Sequence, residues 1–532
     1  MTPKKNDKLI SMSNKMKKPL IIKILLLISS LGLVDAVYLT YIHFAKQSAV
    51  CSANTKLSNC NAVLQSSYAN VGPIPTAFLG VIHYLFLIGI LLFVLRSARK
   101  TAIPILFAQV IIGTLASVYF VYLQIWVIKS ICLFCMLSAI INFLLLATLL
   151  SFFKKEVTRS PVYWTKIVYR LFIKPFFFLL NPEQIHRLIT LFGEGLGQLS
   201  VAKGFLKLIF KSNKPILRQK IAGVNFNSPI GLAAGFDHEA RLTQILPSLG
   251  FGFQAIGSIT HKPYAGNPRP RLGRLPRSKS LMVNKGLQNK GTAKVINKLK
   301  KLKFDIPLGI SVAKTNSQQA SSPQKGLKDY LKSFKLLKKA NLGDYYELNI
   351  SCPNAFGGEP FTTPKKLDRL LAAIDKLKLK KPLFIKMPVD FSCQQTDKLC
   401  QIIIQHKVQG VILGNLSKDR KNPALDQKEA KRFSVGNFSG KPTEARSNRL
   451  IAFVYRKYHP QLTIIGCGGV FSTKDAYRKI KLGASLVQLI TGLIYQGPQL
   501  VSQINLELAD QLEKDGWKNI KEAVGRENGA KK

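Results

Sequence analysis

The chain has 532 residues, 47% of them hydrophobic, and a formal net charge of +51. That length predicts more than one domain, and the apolar residues gather in the first third while lysines scatter through the remainder, so a membrane module joined to a soluble one is expected. The charge invites a nucleic-acid partner, but no basic motif interleaved with aromatic residues occurs; the excess reads as biased composition with affinity for anionic lipid, and no nucleic acid is expected.

Residues 1–19 form a basic polar tail. Four apolar runs then follow, Leu20 to Phe44, Ile74 to Leu95, Ile103 to Ile128 and Ile131 to Phe153, each near the ~20 residues that cross a bilayer as a helix. A cleaved signal peptide is the competing reading of the first run, but no small-residue cleavage site precedes three further spans. Basic clusters lie before the first span, at Arg96 to Lys100 and at Lys154 to Arg159, which places them on the cytoplasmic side. The expectation is a multi-pass protein of the cell membrane. The Ala45 to Gly72 loop and the Lys129-Ser130 turn lie outside, and everything after the fourth span lies in the cytoplasm. Residues 20–155 make up this four-helix bundle.

The cysteines follow that topology. Cys51 and Cys60 fall in the long outer loop, and Cys132 and Cys135 at the outer mouth of the fourth span. A Cys-x-x-Cys at a helix N-terminus has its thiolate favoured by unpaired amides and the helix dipole, which suits thiol exchange. The alternatives are small residues packed at helical spacing, or a four-cysteine zinc site. The eight residues between Cys51 and Cys60 are not a knuckle spacing, and no metal is expected. The entry to the fourth span, Ile131-Cys132-Leu133-Phe134-Cys135-Met136, together with Ser66-Ser67-Tyr68, Gly72-Pro73-Ile74-Pro75, Gly80 and Tyr84, resembles the vitamin K epoxide reductase family. The resemblance implies that an exported thioredoxin-like partner passes electrons from its thiols to the Cys51/Cys60 pair. They would move on to Cys132 through mixed disulfides, with Cys135 facing a membrane quinone.

Residues 156–215 carry aromatic and aliphatic residues at helical spacing among lysines, as amphipathic helices lying on a membrane do. Leu180-Asn181-Pro182-Glu183-Gln184-Ile185-His186 resembles the Leu-Asp-Pro-Glu-x-x-His of quinone-dependent dihydroorotate dehydrogenases, whose N-terminal helices form a quinone tunnel; this implies a quinone-side role for His186. From residue 216 to 515 strand, loop and helix patterns repeat. Strands are expected at Pro229 to Gly235, Phe253 to Gly257, Pro307 to Val312, Tyr345 to Ile350, Leu383 to Met387, Gly410 to Leu413, Thr463 to Ile465 and Ser485 to Leu489. Eight such units predict a (β/α)8 barrel, with an open doubly wound sheet as runner-up. The turns at Gly466 to Gly469 and Thr491-Gly492 follow the last two strands, where barrels commonly bind a phosphate. Residues 516–532 read as a basic polar tail.

The fourth unit ends in Glu347-Leu-Asn-Ile-Ser-Cys-Pro-Asn354. Pro353 cannot donate to a sheet ladder, so the strand stops and presents Asn349, Ser351, Cys352 and Asn354 at its carboxyl end, where barrels keep their active sites. By itself this could be a buried thiol beside a turn. The segment closely resembles the substrate loop of the dihydroorotate dehydrogenase family, whose motifs cover nearly all of Ile221 to Pro498. The resemblance implies flavin mononucleotide (FMN) as cofactor, with Ala234, Gly235 and Ser258 near its ring, Lys386 at its pyrimidine edge, and Gly440, Gly469 and Thr491 on its phosphate side. Ser311, Asn349 and Ile490 complete that set. It further implies Cys352 as base, His238, Asn349, Asn354 and Asn415 as substrate contacts, and Arg274 at the opening of the quinone tunnel.

This chain departs from the family pattern at several positions. Cys352 replaces the serine usual in quinone-linked members, and a thiol of reference pKa ~8.5 accepts a proton with less help. His238 replaces a lysine, making charge there dependent on pH. Val283 replaces an asparagine with Asn284 displaced by one, Ser311 another asparagine, Gly414 a threonine and Ile490 a tyrosine. The implied function is a membrane flavoprotein of pyrimidine biosynthesis that oxidises dihydroorotate with quinone as acceptor, joined to a thiol-oxidising module. The alternatives are a flavin barrel acting on another substrate, or a noncatalytic partner of the thiol oxidase.

Overall fold

The computed structural model describes residues 5–45, 47, 59–97, 102–210 and 212–528, so Cys51 lies outside the described residues. The chain forms two compact units, Met1–Trp164 and Thr165–Lys532.

The first unit is built on four helices, α1 (Lys5–Ala45), α2 (Thr76–Ser97), α3 (Ile103–Tyr122) and α4 (Leu133–Phe152). Stretches Pro19–Ala45, Thr76–Arg96, Ile103–Ile128 and Leu133–Phe152 are each long and apolar enough to cross a membrane, as the sequence predicts. Leu25, Leu87, Leu91, Leu106, Val110, Leu145 and Leu149 interlock in the middle. Leu31, Ile82, Phe86, Leu115 and Leu144 stay exposed on the outside. An apolar exterior suits lipid, where helices satisfy their own backbone groups. The chain leaves α3 through a wider turn, Leu123–Ile128, that ends at Lys129 in the left-handed region (φ 56°). Cys132 follows in extended conformation as the N-cap of α4.

The second unit begins with amphipathic helices. The N-terminus of α6 (Pro182–Gln198) is fixed by Asn181, whose Oδ1 accepts from Glu183 N at 2.9 Å and Gln184 N at 3.3 Å, with proline at the first position, a standard cap. The helix α5 (Lys154–Val168) begins in the first unit and only its last residues, from Thr165, belong to the second; α7 (Ser200–Ile209) follows α6. Thr190, Gly193 and Gly197 of α6 turn inward while Leu188, Phe192, Val201, Phe205 and Leu208 are left exposed, an apolar face that fits a membrane surface.

Eight parallel strands close the barrel: β1 (Ile230–Leu232), β2 (Phe253–Ile259), β3 (Leu308–Val312), β4 (Tyr345–Asn349), β5 (Leu383–Met387), β6 (Gly410–Leu413), β7 (Thr463–Cys467) and β8 (Leu486–Leu489), each beside the next and β8 beside β1. Helices cover the outer face, so the strands read as continuous apolar runs. The amino-terminal end of the lumen is plugged by Phe226, Phe253, Tyr345, Phe384, Ile412, Ile465 and Leu486. Above this plug sits a polar layer in which Gln488 Nε2 donates to Glu347 Oε1 at 2.6 Å beside buried Lys386. The lumen can therefore receive a ligand only from its carboxyl end. There an antiparallel sheet of Leu272–Leu275, Ser280–Val283 and Asn437–Phe438, unforeseen in the sequence, carries Arg274 and Val283.

Candidate active site

A single cavity of about 710 Å³ runs from the carboxyl ends of the strands into the helices at the start of the second unit, within the range of small-molecule sites. Its inner part is lined by Ala234, Gly235, Ser258, Asn349, Cys352, Asn354, Lys386, Asn415, Gly440, Gly469, Ile490 and Thr491, and its outer part by His186, His238 and Arg274. Ser311 does not reach the wall. It lies behind it, 2.8 Å from Ser258 Oγ, and Asn349 Nδ2 donates to that same Ser258 oxygen at 2.8 Å. Asn349 Oδ1 accepts from Ser351 N at 3.1 Å, and Asn415 Nδ2 donates to Ser351 O at 2.7 Å. Asn354 Nδ2 donates to Val283 O at 2.9 Å while its Oδ1 accepts from Asn437 Nδ2 at 2.5 Å. The three carboxamides flanking Cys352 are thus held by the walls before any ligand binds.

Electrostatics at the site departs from the sequence reading in two places. Burial pushes the Cys352 thiol up to about 11, against the smaller pull of Asn354 N–H, Lys314 and Lys386; the thiol needs more help than its reference value implies. Burial likewise holds His238 down to about 3, with Lys285 and Arg241 pushing the same way, so its imidazole is neutral throughout the physiological range rather than a pH-dependent charge. A flavin phosphate and ring fit the residues present. Lys386 is 4% exposed, its ammonium makes no hydrogen bond with any described residue, and it acts electrostatically on Glu347, Cys352 and Cys467. Gly469, at φ +71°, has no room for a Cβ, which would stand 2.3 Å from Glu444 Cβ, and it leaves bare backbone facing the cavity. At the outer end Arg274 Nη1 donates to Leu180 O at 2.6 Å, and its guanidinium lies 4.8 Å from the centre of the Phe178 ring.

In the first unit Cys60, Val63 and Cys132 are buried in one cluster with Ile128, Phe134 and Cys135 packed against it. Cys132 and Cys135 are free thiols in hydrogen-bonding contact, whereas Cys60 is disulfide-bonded. Gln124 Oε1 accepts from Cys132 N at 2.8 Å. A polar chain not read from the sequence crosses the bundle nearby. Ser138 Oγ donates to Asp35 Oδ2 (2.7 Å), Asn142 Nδ2 to Tyr84 OH (3.2 Å), and His83 joins Asn142 Oδ1 (3.1 Å) to Gln109 Nε2 (2.9 Å). Among the described residues no cluster of His, Cys, Asp and Glu could hold a metal ion.

Residues 216–512, more than half of the chain, match the dihydroorotate dehydrogenase family. The chain belongs to that family. Ahead of it, residues 23–150 match the vitamin K epoxide reductase family, so the protein is a fusion of the two. Relatives named dihydroorotate dehydrogenase (quinone) include one from Gloeobacter violaceus, 36% identical over 67% of this chain and 98% of its own length. Another, from Corynebacterium efficiens, is 34% identical over 65% and 91%. The ligand-free enzyme from Eimeria tenella superimposes with a TM-score of 0.58 at 25% identity, covering 65% of this chain and 99% of that one. About two thirds of this chain thus accounts for nearly the whole of such relatives, and like them it is an oxidoreductase.

For a dihydroorotate dehydrogenase the site also contains residues the motifs do not reach. Asn267 Nδ2 donates to Asn354 O and to Asn284 Oδ1, both at 3.0 Å, and Asn316 Nδ2 donates to Asn267 Oδ1 at 3.1 Å. Ser439 Oγ lies 2.8 Å from Thr491 Oγ1. Lys285 lines the cavity with its Nζ 3.2 Å from His186 Nδ1. Position 285 follows the displaced Asn284, and that displacement is the signal in the sequence that could have drawn attention to Lys285.

Proposed function

We propose that the barrel oxidises dihydroorotate to orotate with FMN as cofactor and quinone as acceptor, and that the membrane unit oxidises thiols at the expense of quinone. One observation carries the first half: Cys352, three fixed carboxamides and Lys386 open into the same cavity as the apolar sleeve of residues 165–210. The carboxamides of Asn349, Asn354 and Asn415 offer paired donors and acceptors to a planar imide ring. Cys352, as thiolate, removes a proton from one carbon of the bond that becomes double. FMN, when bound, would supply the hydride acceptor for the other carbon and a two-electron path to quinone. Lys386 would set its ammonium at the pyrimidine edge, Gly440, Gly469 and Thr491 would enclose the phosphate side, and Tyr169, Phe178, His186 and Arg274 line the part of the cavity through which quinone would enter.

In the membrane unit, the Cys51/Cys60 pair takes electrons from an exported thioredoxin-like protein and hands them to Cys132, with Cys135 on the quinone side. What supports this is the burial of Cys60 and Cys132 in one cluster with Cys135 packed against it. The balance is two thiols plus quinone giving disulfide plus quinol. The orientation follows from the basic clusters: barrel in the cytoplasm, loop cysteines outside the cell membrane. The residues divide into a basic tail (1–19), the four-span module (20–155), the quinone-tunnel helices (156–215), the flavin barrel (216–515) and a polar tail (516–532). The test is purification in detergent followed by anaerobic flavin spectra. Dihydroorotate should bleach the flavin and added quinone restore it; a flavin indifferent to dihydroorotate refutes the reading.

A further inference from the structure

Three cationic side chains, Arg274, Lys285 and Lys386, line the cavity, and no Asp or Glu does. Two already have employment. Arg274 is held by the carbonyl of Leu180 and the ring of Phe178, and Lys386 lies over the Glu347 layer at the barrel floor. Lys285 forms no ion pair with a described residue; its Nζ has His186 Nδ1 at 3.2 Å. The tautomer of His186 can be assigned from its partners. Phe236 O, 2.8 Å from Nε2, can only accept, so Nε2 carries the proton and Nδ1 accepts from the Lys285 ammonium. The His238 ring stacks on His186 with centroids 5.8 Å apart and planes 14° apart. Its Nδ1 is buried with no hydrogen-bond partner. Two neutral imidazoles and one ammonium therefore meet at the cavity wall; burial pulls that ammonium down to about 8, Glu183 and Glu239 act on it only from beyond ion-pair contact, and a buried ammonium with no carboxylate in contact is costly.

The loop carrying this ammonium is stitched to the loop carrying Cys352. Asn354 Nδ2 donates to Val283 O, Asn267 Nδ2 to Asn354 O, and Asn267 N to Lys285 O at 3.3 Å. Asn316 Nδ2 closes the arrangement on Gly286 O at 2.9 Å. Dihydroorotate bears one carboxylate beside the carbons that react, and a neutral His238 cannot balance it. We infer that Lys285 is the cation that holds the substrate carboxylate, oriented by His186 as a positioning residue; this rests on the dihydroorotate reading proposed above. The cation is thus supplied from the loop after Val283 rather than from position 238.

The test uses the full-length flavoprotein in detergent and the variants Lys285→Met, Lys285→Arg and His186→Gln. Orotate affinity is measured by calorimetry. Flavin bleaching is followed with dihydroorotate and with its uncharged methyl ester, and reoxidation with quinone in a separate mixing step. Lys285→Met should weaken orotate binding by about 10- to 100-fold, the worth of one charge-assisted hydrogen bond. It should also erase the preference for acid over ester and leave reoxidation unchanged. Lys285→Arg should restore the preference in part, which a packing role would not do, and His186→Gln should weaken orotate binding less than Lys285→Met. Parent-like affinity and preference in Lys285→Met overturn the inference, as does a loss confined to reoxidation, which would place Lys285 on the quinone instead. If Lys285→Met does not fold with flavin, a Lys285→Arg protein with parent-like flavin but no acid preference overturns it as well. A parent protein whose flavin ignores dihydroorotate sinks both the functional reading and this one, whereas a bleached parent with an indifferent Lys285→Met sinks only this one.

Discussion

Replacing Cys352 by alanine is the most direct probe of the barrel chemistry, and the structure sets both its size and its pH dependence. With the thiol pushed up to about 11 by burial, only about 10⁻⁴ of the free protein carries a thiolate at pH 7, and that fraction grows tenfold per pH unit. With Cys352 as the proposed base, the active form is the deprotonated one, so flavin reduction by dihydroorotate should climb with a slope near one from pH 6 to 9. Lys386 and Lys314 pull toward the thiolate and Glu359 opposes it, which moves the midpoint without changing the sign. Cys352→Ala should lose about 10²- to 10⁴-fold, the usual worth of a general base, and its residual rate should no longer follow pH. Cys352→Ser should recover little, because a hydroxyl ionises even less readily than the buried thiol. Anaerobic stopped-flow bleaching of the flavin measures all three proteins, and reoxidation by quinone serves as the internal control. A Cys352→Ala protein as fast as the parent, or a parent rate flat from pH 6 to 9, would refute the assignment of Cys352 as base.

Three further outcomes are expected. Lys386→Met should purify with far less FMN per chain, at a cost of about 1.5–3 kcal/mol for one charge-assisted hydrogen bond, read as flavin absorbance against protein; full occupancy would show that the cation does not hold the cofactor. Gly113→Ala places a Cβ 2.4 Å from His83 Cε1 and 2.5 Å from Asn142 Oδ1. It should lower thermal stability in detergent by about 1–3 kcal/mol, while Gly89→Ala, with nothing within 4 Å, should not. Cys135→Ala should abolish quinone-linked thiol oxidation and trap Cys132 in a mixed disulfide with a loop cysteine, visible on non-reducing gels. Unchanged quinone reduction would leave Cys135 a packed thiol.

The sequence alone determined the four spans and the eight barrel strands in order, because those elements are repeated local patterns. Spans are long apolar runs, and strands of a covered parallel sheet are short apolar runs closed by glycine, proline and polar loops. It also placed Cys352 at the carboxyl end of the barrel, since no strand of the sheet can run through Pro353, and the structure ends β4 at Asn349 with Cys352 on the cavity wall. Tertiary structure alone decided the protonation states and the partners. The Cys352 thiol and the His238 imidazole take their character from burial by segments distant in sequence, and burial cannot be read from neighbouring residues. Asp35 meets Ser138, and Lys285 meets His186, across about a hundred residues of chain with no local signature. The antiparallel sheet over the barrel mouth was equally hidden, its strands being only two to four residues long. Periodicity is a property of consecutive residues, whereas charge, proton affinity and hydrogen-bond pairing depend on which distant groups the fold brings within a few ångströms and on how much water it removes.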